Sequence, residues 1–500
     1  MERPEINIVW FKRDFRLTDH APLQAAVNDG RPALLCAFLE PSLIQQPQSA
    51  DRHWRFVCES VSDLRLLLPK GQTLYLFHKE VLPVFQQLAE YYTICHLYSH
   101  QETGLKVTYD RDRAVRTFCR AHGISWREFL QDGVFRGLTN RRDWSERWEA
   151  FVRAPQDHVD LHRLRTLTLP PAYRTQLAPG KIPQKWTTYQ SPFQRGGPSY
   201  ADRYLNSFLQ TRGQDYHRLL SKPDRSRLSC GRISPYLAFG NLSLRQAFQR
   251  STEAAKRPGW ARPMETFQSR LWWRSHYMQK LESEWTIEFK PINAGFSELR
   301  RSRDPELIRA FGNGTTGFPM VDASVRCLQQ NGWLNFRMRA MLATFATFAL
   351  WLDWKIVAEI MARWFLDFEP GIHYAQMQMQ SGMSGYHPLR IFSPVIQAQQ
   401  HDPQGHFVRT YLPELTDVPA PQIYAPWTMT HLEQQFYRCR IGNDYAKPII
   451  DYQTSITKNR DLYWRVRQSK AVQQALPGLW ERHCLPENIA TYRKEWLSVS

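Results

Sequence analysis

A chain of 500 residues with 65 Lys and Arg against 47 Asp and Glu has a formal charge of +18, and 42% of it is hydrophobic while 22% is charged. That is the make-up of a soluble globular protein with room for two or three domains. The positive excess points to a polyanionic partner, nucleic acid first, against the plainer alternative of a merely basic surface. The eight Cys are dispersed with no CxxC pair, which fits reduced cytosolic thiols and offers no metal site. The start, MERPEINIVWF, lacks the apolar core and cleavage site of a signal peptide, and the longest apolar run, Ala340 to Leu352, is too short to span a bilayer. A cytoplasmic chain without a membrane segment is expected. HExxH, GxSxG and P-loop motifs are absent, which removes metallopeptidase, serine hydrolase and NTPase readings.

In chain order, β-branched and aromatic runs at Ile6–Phe11, Ala33–Leu39, Thr73–Phe77 and Thr93–Tyr98 alternate with amphipathic segments at Trp54–Leu68 and Val81–Tyr92. A helix at Tyr109–His122 and a strand at Ile124–Phe129 complete the pattern. Strands alternating with helices predict an α/β N-terminal domain with an open parallel sheet, over residues 1–133. No GxGxxG follows the first strand, so the dinucleotide fingerprint is missing. The turn Lys12-Arg13-Asp14-Phe15-Arg16 stands where an open sheet places its ligand crevice, and reads either as the lip of that crevice or as a solvated charged turn. Residues 134–199 read as an inter-domain connector lying on the surface, carrying Trp144 and Trp148 and then rich in Pro, Thr and Gln. After Gly196-Gly197-Pro198 the periodicity turns helical, and residues 200–500 are expected to form an all-α domain. The basic and aromatic stretch around Lys458-Asn459-Arg460 and Tyr463-Trp464-Arg465 reads as a solvated helical face, with a DNA-facing arm as the alternative.

Three groups in the helical half could carry chemistry. In SRLSCGRISPYLAFGNLS (Ser226–Ser243), small hydroxyl, thiol and Gly residues stand beside Arg232 just ahead of a helix, as a phosphate or pyrophosphate requires; Ser-Pro is also an ordinary helix start. In Met264–Glu282, Arg270, Trp273 and Tyr277 share one helix face, while Phe267, Leu271, Met278 and Leu281 form an apolar stripe. An Arg beside an aromatic platform suits a phosphate and a base, although Trp273 could equally pack on a neighbouring helix. The third group is Gly332–Gln380. Its apolar run carries Arg337 and Arg339, and a buried Arg needs a carboxylate or an anionic ligand. Asp367 or Glu369, after which the chain turns at Pro370-Gly371, is the supplier expected for Arg339. His373 could meet a redox ring or be a structural histidine.

The ordered matches along the chain resemble the photolyase/cryptochrome family. They include IVWFKRDFRLTDHAPLQAA (Ile8–Ala26), HQETGLKVTYDRDRAV (His100–Val115), GRISPYLAFGNLS (Gly231–Ser243) and LWWRSHY (Leu271–Tyr277). Two longer ones follow, GNGTTGFPMVDASVRCLQQNGWLNFRMR (Gly312–Arg339) and RIFSPVIQAQQHDPQGHFVRTYLPEL (Arg390–Leu415). The resemblance implies an N-terminal antenna domain, with a second chromophore of folate or deazaflavin type possible there, and an all-α domain holding FAD. It implies as partner DNA carrying pyrimidine dimers, flipped into a hole in a positive face, with light-driven electron donation from reduced flavin. A monomer is expected. By motif position, Tyr216, Cys230, Gly231, Arg232, Ile233 and Ser234 would hold the flavin phosphates and ribityl. Arg339, Asp367, Phe368 and Glu369 would sit by the isoalloxazine, and His373 where the family has the residue facing flavin N5. Arg270, Trp273, Arg274, Tyr277, Asn335 and Phe336 would meet the lesion or DNA, with Trp273, Arg270 and His373 as the catalytic set.

The chain departs from that pattern in four places. Arg270 stands where the cyclobutane-specific enzymes have a Glu. Asn335-Phe336 stands where the family has its Asn or His. His373 replaces the usual N5-facing residue. Of the three-Trp electron chain only Trp354 matches, with Met377 and Arg301 in the other two positions. These departures leave a cryptochrome-like photoreceptor, signalling through flavin redox state without repair, as the alternative to a dimer-splitting enzyme.

Overall fold

The computed structural model describes residues 3–498 apart from 172, 174–176 and 178–179, so those residues of the expected connector, and residues 1–2 and 499–500, lie outside the described residues. Five strands, β1 (Glu5–Phe11), β2 (Ala33–Phe38), β3 (Leu74–Phe77), β4 (Thr93–His100) and β5 (Ser125–Phe129), form one parallel sheet in the order β3-β2-β1-β4-β5. β1 and β2 are buried along almost their whole length, as a parallel sheet covered by helices on both faces demands. The order reverses at β1, which places the crevice of this α/β half beyond the carboxyl end of that strand.

The turn leaving β1 is not solvated. Lys12 is buried, with its Nζ 2.8 Å from Asp112 and 4.5 Å from the centre of the Trp10 ring. Asp14 accepts from the Lys12 amide (2.8 Å) and from His100 Nδ1 (2.7 Å), and His20 Nε2 lies 3.1 Å away. Because His20 Nδ1 accepts from the Leu23 amide, its proton is on Nε2. Asp14, His20 and His100 thus form a buried cluster whose ligand-type atoms lie within 4.8 Å of one another. From this turn the chain reaches the helical half. Arg13 donates to the carbonyls of Ala238 (2.7 Å) and Phe368 (2.8 Å), the Phe15 amide donates to Phe239 O (3.1 Å), and Asn241 Nδ2 donates to Phe15 O (2.9 Å). Gly240, at φ +67°, allows this approach: a Cβ there would lie 2.2 Å from Arg13 O.

The segment expected to run over the surface is instead anchored. It forms the helix Trp144–Arg153, whose Trp144 and Trp148 are buried. The Trp144 indole donates to Gln279 Oε1 (3.2 Å), and Trp148 packs edge-on against Phe248. Two large indoles with a polar handle are better placed inside than in water.

The helical half is built on the helix Ala261–Ser283, packed against the helix Pro370–Gln380. Phe267, Leu271, Met278 and Leu281 are buried along it, as their spacing predicts. The run expected as one core helix, Ala340–Leu352, is broken. An α-helix over Phe336–Thr344 widens into a π-turn at Phe345–Ala349, and Trp351 follows at φ +53°. Residues 341–350 are buried without interruption across the α-helix and the π-turn, so this run is apolar on every side because it lies inside the core. The Lys458–Arg465 region belongs to the helix Tyr452–Arg467, which exposes Lys458 and Arg460 while burying Tyr463. No helix among the described residues is long and apolar enough to cross a membrane.

Candidate flavin and nucleic-acid site

A cavity of about 720 Å³ opens between the helices Ala261–Ser283, Phe336–Thr344 and Pro370–Gln380 and the loop Cys230–Ser234. It is lined by Tyr216, Cys230, Gly231, Arg232, Ile233, Ser234, Arg270, Trp273, Arg274, Tyr277, Asn335, Phe336, Arg339, Asp367, Phe368, Glu369 and His373. These positions come from five segments separated in sequence, and the fold gathers them around one space. Of the electron-relay positions, Met377 lines the cavity, whereas Trp354 is buried outside it at the start of the helix Trp354–Trp364.

The loop wall is strained and short of partners. Arg232 lies at φ +53°, a conformation a non-glycine residue adopts at a cost, and one that clusters where the backbone must meet a ligand. Arg232 Nε and Ser234 Oγ are buried without a hydrogen-bond partner, and so is Asn335 Nδ2. Asn335 Oδ1 accepts from the Met338 amide (3.1 Å) and caps its helix, which leaves the amide nitrogen as the free donor. Buried polar groups are normally satisfied. Three orphan donors around one cavity fit a phosphate-bearing ligand, whose oxygens would supply the acceptors.

The opposite wall carries charge pairs. Arg339 Nη1 and Nη2 donate to Asp367 Oδ1 (3.0 Å) and Oδ2 (2.8 Å), a bidentate pair, while its guanidinium lies 4.3 Å from the Phe365 ring centre. Of the two expected suppliers, Asp367 is the one used. Glu369 instead faces Arg274 (3.3 Å) and Arg13 (3.8 Å), and burial pushes its carboxyl up against the pull of both cations. Arg274, expected to contact DNA, is thereby corrected. It is 8% exposed and its guanidinium is taken by Glu369, Asp132 and the Leu237 carbonyl, because the Ala261–Ser283 helix turns this residue toward the sheet half.

His373 Nε2 lies 2.8 Å from Ala358 O, which can only accept, so the proton is on Nε2 and Nδ1 remains an acceptor. Burial holds His373 down at about 4, so the ring is neutral near pH 7. His53, His483 and His100 are held down by burial at about 4, 4 and 3. Unfolded imidazoles take up protons near pH ~6.5 while these folded ones refuse them, so the unfolded state binds more protons and stability falls as pH drops. We expect the thermal midpoint to decline between about pH 6.5 and about pH 4, each ring contributing on the order of 1–3 kcal/mol. A midpoint flat across that window would contradict these environments.

The mouth is basic. Arg270 and Phe336 are exposed, and the Arg270 and Arg337 guanidiniums lie 5.1 and 5.3 Å from the Phe336 ring centre. Burial pulls Arg337 down, and the charges of Arg390 and Arg270 add to the effect. Three arginines held close against their own repulsion suit a polyanion. Arg337, expected with Arg339 to need a carboxylate or an anionic ligand, instead has other arginines as its charged neighbours, and sequence reasoning gave Arg390 no role because its proximity to Arg337 is tertiary. Trp273 stacks on Tyr277 (5.6 Å, 28°) on the cavity side of the helix.

A second, smaller cavity of about 100 Å³ lies beyond the strand ends, lined by Trp10, Lys12, Arg13, Glu40, His53, Trp54, Arg111 and Phe368 among others. The Lys12–Arg16 turn thus does border a crevice. Arg111 donates to Glu40 Oε1 (2.6 Å), Glu40 Oε2 is without a partner, and burial raises this carboxyl to about 7.

A parallel α/β half is joined to a helical half that encloses the larger cavity, and comparison with known proteins shows this to be a two-domain fold with an FAD-binding domain. Residues 7–189 match the family model described as DNA photolyase, and residues 267–465 match the FAD binding domain of DNA photolyase. The chain belongs to the photolyase/cryptochrome family. It is 27% identical over 468 residues to a deoxyribodipyrimidine photo-lyase of Alkalihalophilus pseudofirmus, covering 89% of this chain and 95% of the relative. Its fold is similar to a Synechocystis cryptochrome (TM-score 0.84, 22% identity, 92% of this chain and 100% of the other). It is also similar to a class III photolyase of Agrobacterium tumefaciens (TM-score 0.81, 21% identity, 94% and 98%).

Proposed function

We propose that this protein is a light-dependent DNA-repair flavoprotein that splits pyrimidine dimers extruded into the larger cavity. The observation that carries the reading is the union, in one space, of the strained loop with its orphan donors and a mouth ringed by Arg270, Arg337 and Arg390. FAD, when bound in its reduced form, would lend a light-excited electron to open the dimer and take it back once the ring has split, so that the overall reaction is redox-neutral. The chain does the rest. Tyr216 and Cys230–Ser234 hold the phosphate and ribityl portion, with Arg232, Ser234 and Asn335 as donors. Arg339, paired with Asp367, offers a fixed positive edge beside the ring; Phe368 and Glu369 complete that wall, and neutral His373 stands by the ring without adding charge. Trp273 and Tyr277 form the platform for the flipped bases, while Asn335, Phe336 and Arg270 border their entry.

On this reading residues 1–133 are the antenna domain, 134–199 the connector and 200–500 the FAD-binding, DNA-facing domain of a cytoplasmic monomer. The smaller cavity, with its free Glu40 oxygen and aromatic walls, is the place for a folate- or deazaflavin-type second chromophore. Trp354 serves as an outlying electron donor.

The test is repair itself. The reduced protein, mixed with oligonucleotides carrying a cyclobutane or a (6-4) dimer and illuminated, is expected to restore free thymines from at least one of them. No light-dependent reversal of either lesion would overturn the reading in favour of a photoreceptor. That second reading has one observation behind it: Arg270, exposed and stacked on Phe336, puts a cation where dimer-splitting relatives are expected to present a carboxylate.

A further inference from the structure

Behind the cavity, on the far side of the Ala261–Ser283 helix, lies a basic cluster that the flavin chemistry does not use. Arg141, just ahead of the Trp144–Arg153 helix, is 1% exposed, and Lys280 is 2% exposed. Arg141 spends only its Nε, on the carbonyl of Arg482 (3.1 Å); both terminal nitrogens are buried with no acceptor. Lys280 Nζ donates to His483 O (2.6 Å) and to the Tyr386 hydroxyl (3.3 Å). His276 Nδ1 and His483 Nδ1 are also buried without a partner. These groups are neighbours: Arg141 and Lys280 donate to the carbonyls of the adjacent residues Arg482 and His483, and the Trp144 ring lies 5.6 Å from both the Arg141 guanidinium and the His276 ring, so that Lys280, Arg141, His387 and His483 all act on His276.

Among the described residues no carboxylate balances the two cations. Glu284, the acid of this region, is already engaged by His483 Nε2 (2.8 Å) and Arg482 (3.2 Å). The other groups that could carry negative charge near Arg141 are the Tyr386 hydroxyl and the Cys484 thiol, and burial pushes both up, so they are neutral near pH 7. Burial also draws Lys280 down to about 7. With Lys280 able to shed its proton near neutral pH, Arg141 remains a buried guanidinium with two free terminal nitrogens and no counter-charge, which is strongly unfavourable in a low-dielectric interior and persists when an anion meets it. Water could accept the hydrogen bonds of Arg141 but would leave the charge in place.

We propose that Arg141 and Lys280, with His276 beside them, bind a small inorganic monoanion of chloride size as an integral part of the fold. The ion takes the hydrogen bonds of the free guanidinium nitrogens and neutralises the pair. Its position gives it a purpose in the architecture. His276 is stacked on Trp272 (5.2 Å, 6°), which meets Trp273 edge-on (5.0 Å), so the anion backs the aromatic platform from inside the protein.

The experiment uses the full-length, flavin-loaded protein. Crystals soaked in sodium bromide are expected to show an anomalous peak within hydrogen-bonding distance of the Arg141 terminal nitrogens. The thermal midpoint is expected to be about 2 °C or more higher in sodium chloride than in sodium gluconate at equal ionic strength. Arg141→Met and Lys280→Met should each abolish that difference. No bromide peak overturns the proposal whatever the stability data, and a peak without any difference between the two salts reduces it to an adventitious ion, which overturns it as well. If Arg141→Met fails to fold, Lys280→Met and the soaked wild-type crystal decide.

Discussion

Asp367→Asn is expected to yield a protein that loses its flavin during purification and melts several degrees lower than the parent. The substitution is nearly isosteric, so packing changes little. What changes is that the Arg339 guanidinium, now held by a carboxylate through two bonds of 3.0 and 2.8 Å, keeps its charge while its partner loses one. Breaking a fully buried pair by removing one partner costs about 3–5 kcal/mol. Arg339 retains 27% side-chain exposure against 4% for Asp367, and water screens part of the loss, so about 2 kcal/mol is the appropriate scale. Flavin content per protein and the thermal midpoint check this together. The double variant Arg339→Met/Asp367→Leu separates the two effects: an apolar pair of similar volume should recover stability but not flavin retention, because the fixed positive edge is gone. Flavin retained at parental stoichiometry by Asp367→Asn would remove this pair from the binding account.

Gly240→Ala is expected to be the most damaging single-methyl change at the seam between the halves. The residue sits at φ +67°, and the added Cβ would fall 2.2 Å from Arg13 O and 2.4 Å from Asp14 Cα, both backbone atoms that no rotamer change can move. The left-handed conformation alone costs an alanine about 1–2 kcal/mol. Forcing the Arg13–Asp14 turn away adds about 1–3 kcal/mol more. Gly30 provides the control, since it has a comparable φ of +79° with nothing within 4 Å of its would-be Cβ. Gly30→Ala should show the conformational part alone, about 1–2 kcal/mol by urea unfolding. Equal losses at the two positions would show that the seam yields.

Much of this was legible in the residues, for reasons that can be stated. The sheet was readable because β2 is an unbroken apolar run and β1 is apolar from Ile8 to Phe11, a pattern that suits strands covered on both faces. Arg339 was readable as needing a carboxylate because the cost of an unpaired guanidinium in an apolar helix does not depend on the rest of the fold. Which carboxylate it finds is a different matter. Asp367 and Glu369 are two residues apart, and their assignment to Arg339 and to Arg274 follows from how the chain turns before Pro370, which composition does not encode. The same holds for Arg274, whose face on its helix was clear but whose surroundings include Asp132 from the other half. The π-turn at Phe345–Ala349 and the left-handed Arg232 are backbone choices made by packing, and neither residue type announces them. The basic cluster around Arg141 and Lys280 was invisible for a third reason: its members are 139 residues apart, and each alone looks like an ordinary surface cation.

Arg13 joins the two architectures through more than contact. Its guanidinium donates to the carbonyls of Ala238 and Phe368, one at the end of the helix Ser234–Ala238 and the other in the wall of the larger cavity. Separating the sheet half would take the Arg13 donor from both carbonyls and leave Glu369 with Arg274 as its remaining cation, while dismantling the helical half would take both acceptors from Arg13. The two folds therefore meet through shared hydrogen bonds as well as a shared apolar core, so each supplies donors or acceptors that the other's buried backbone uses.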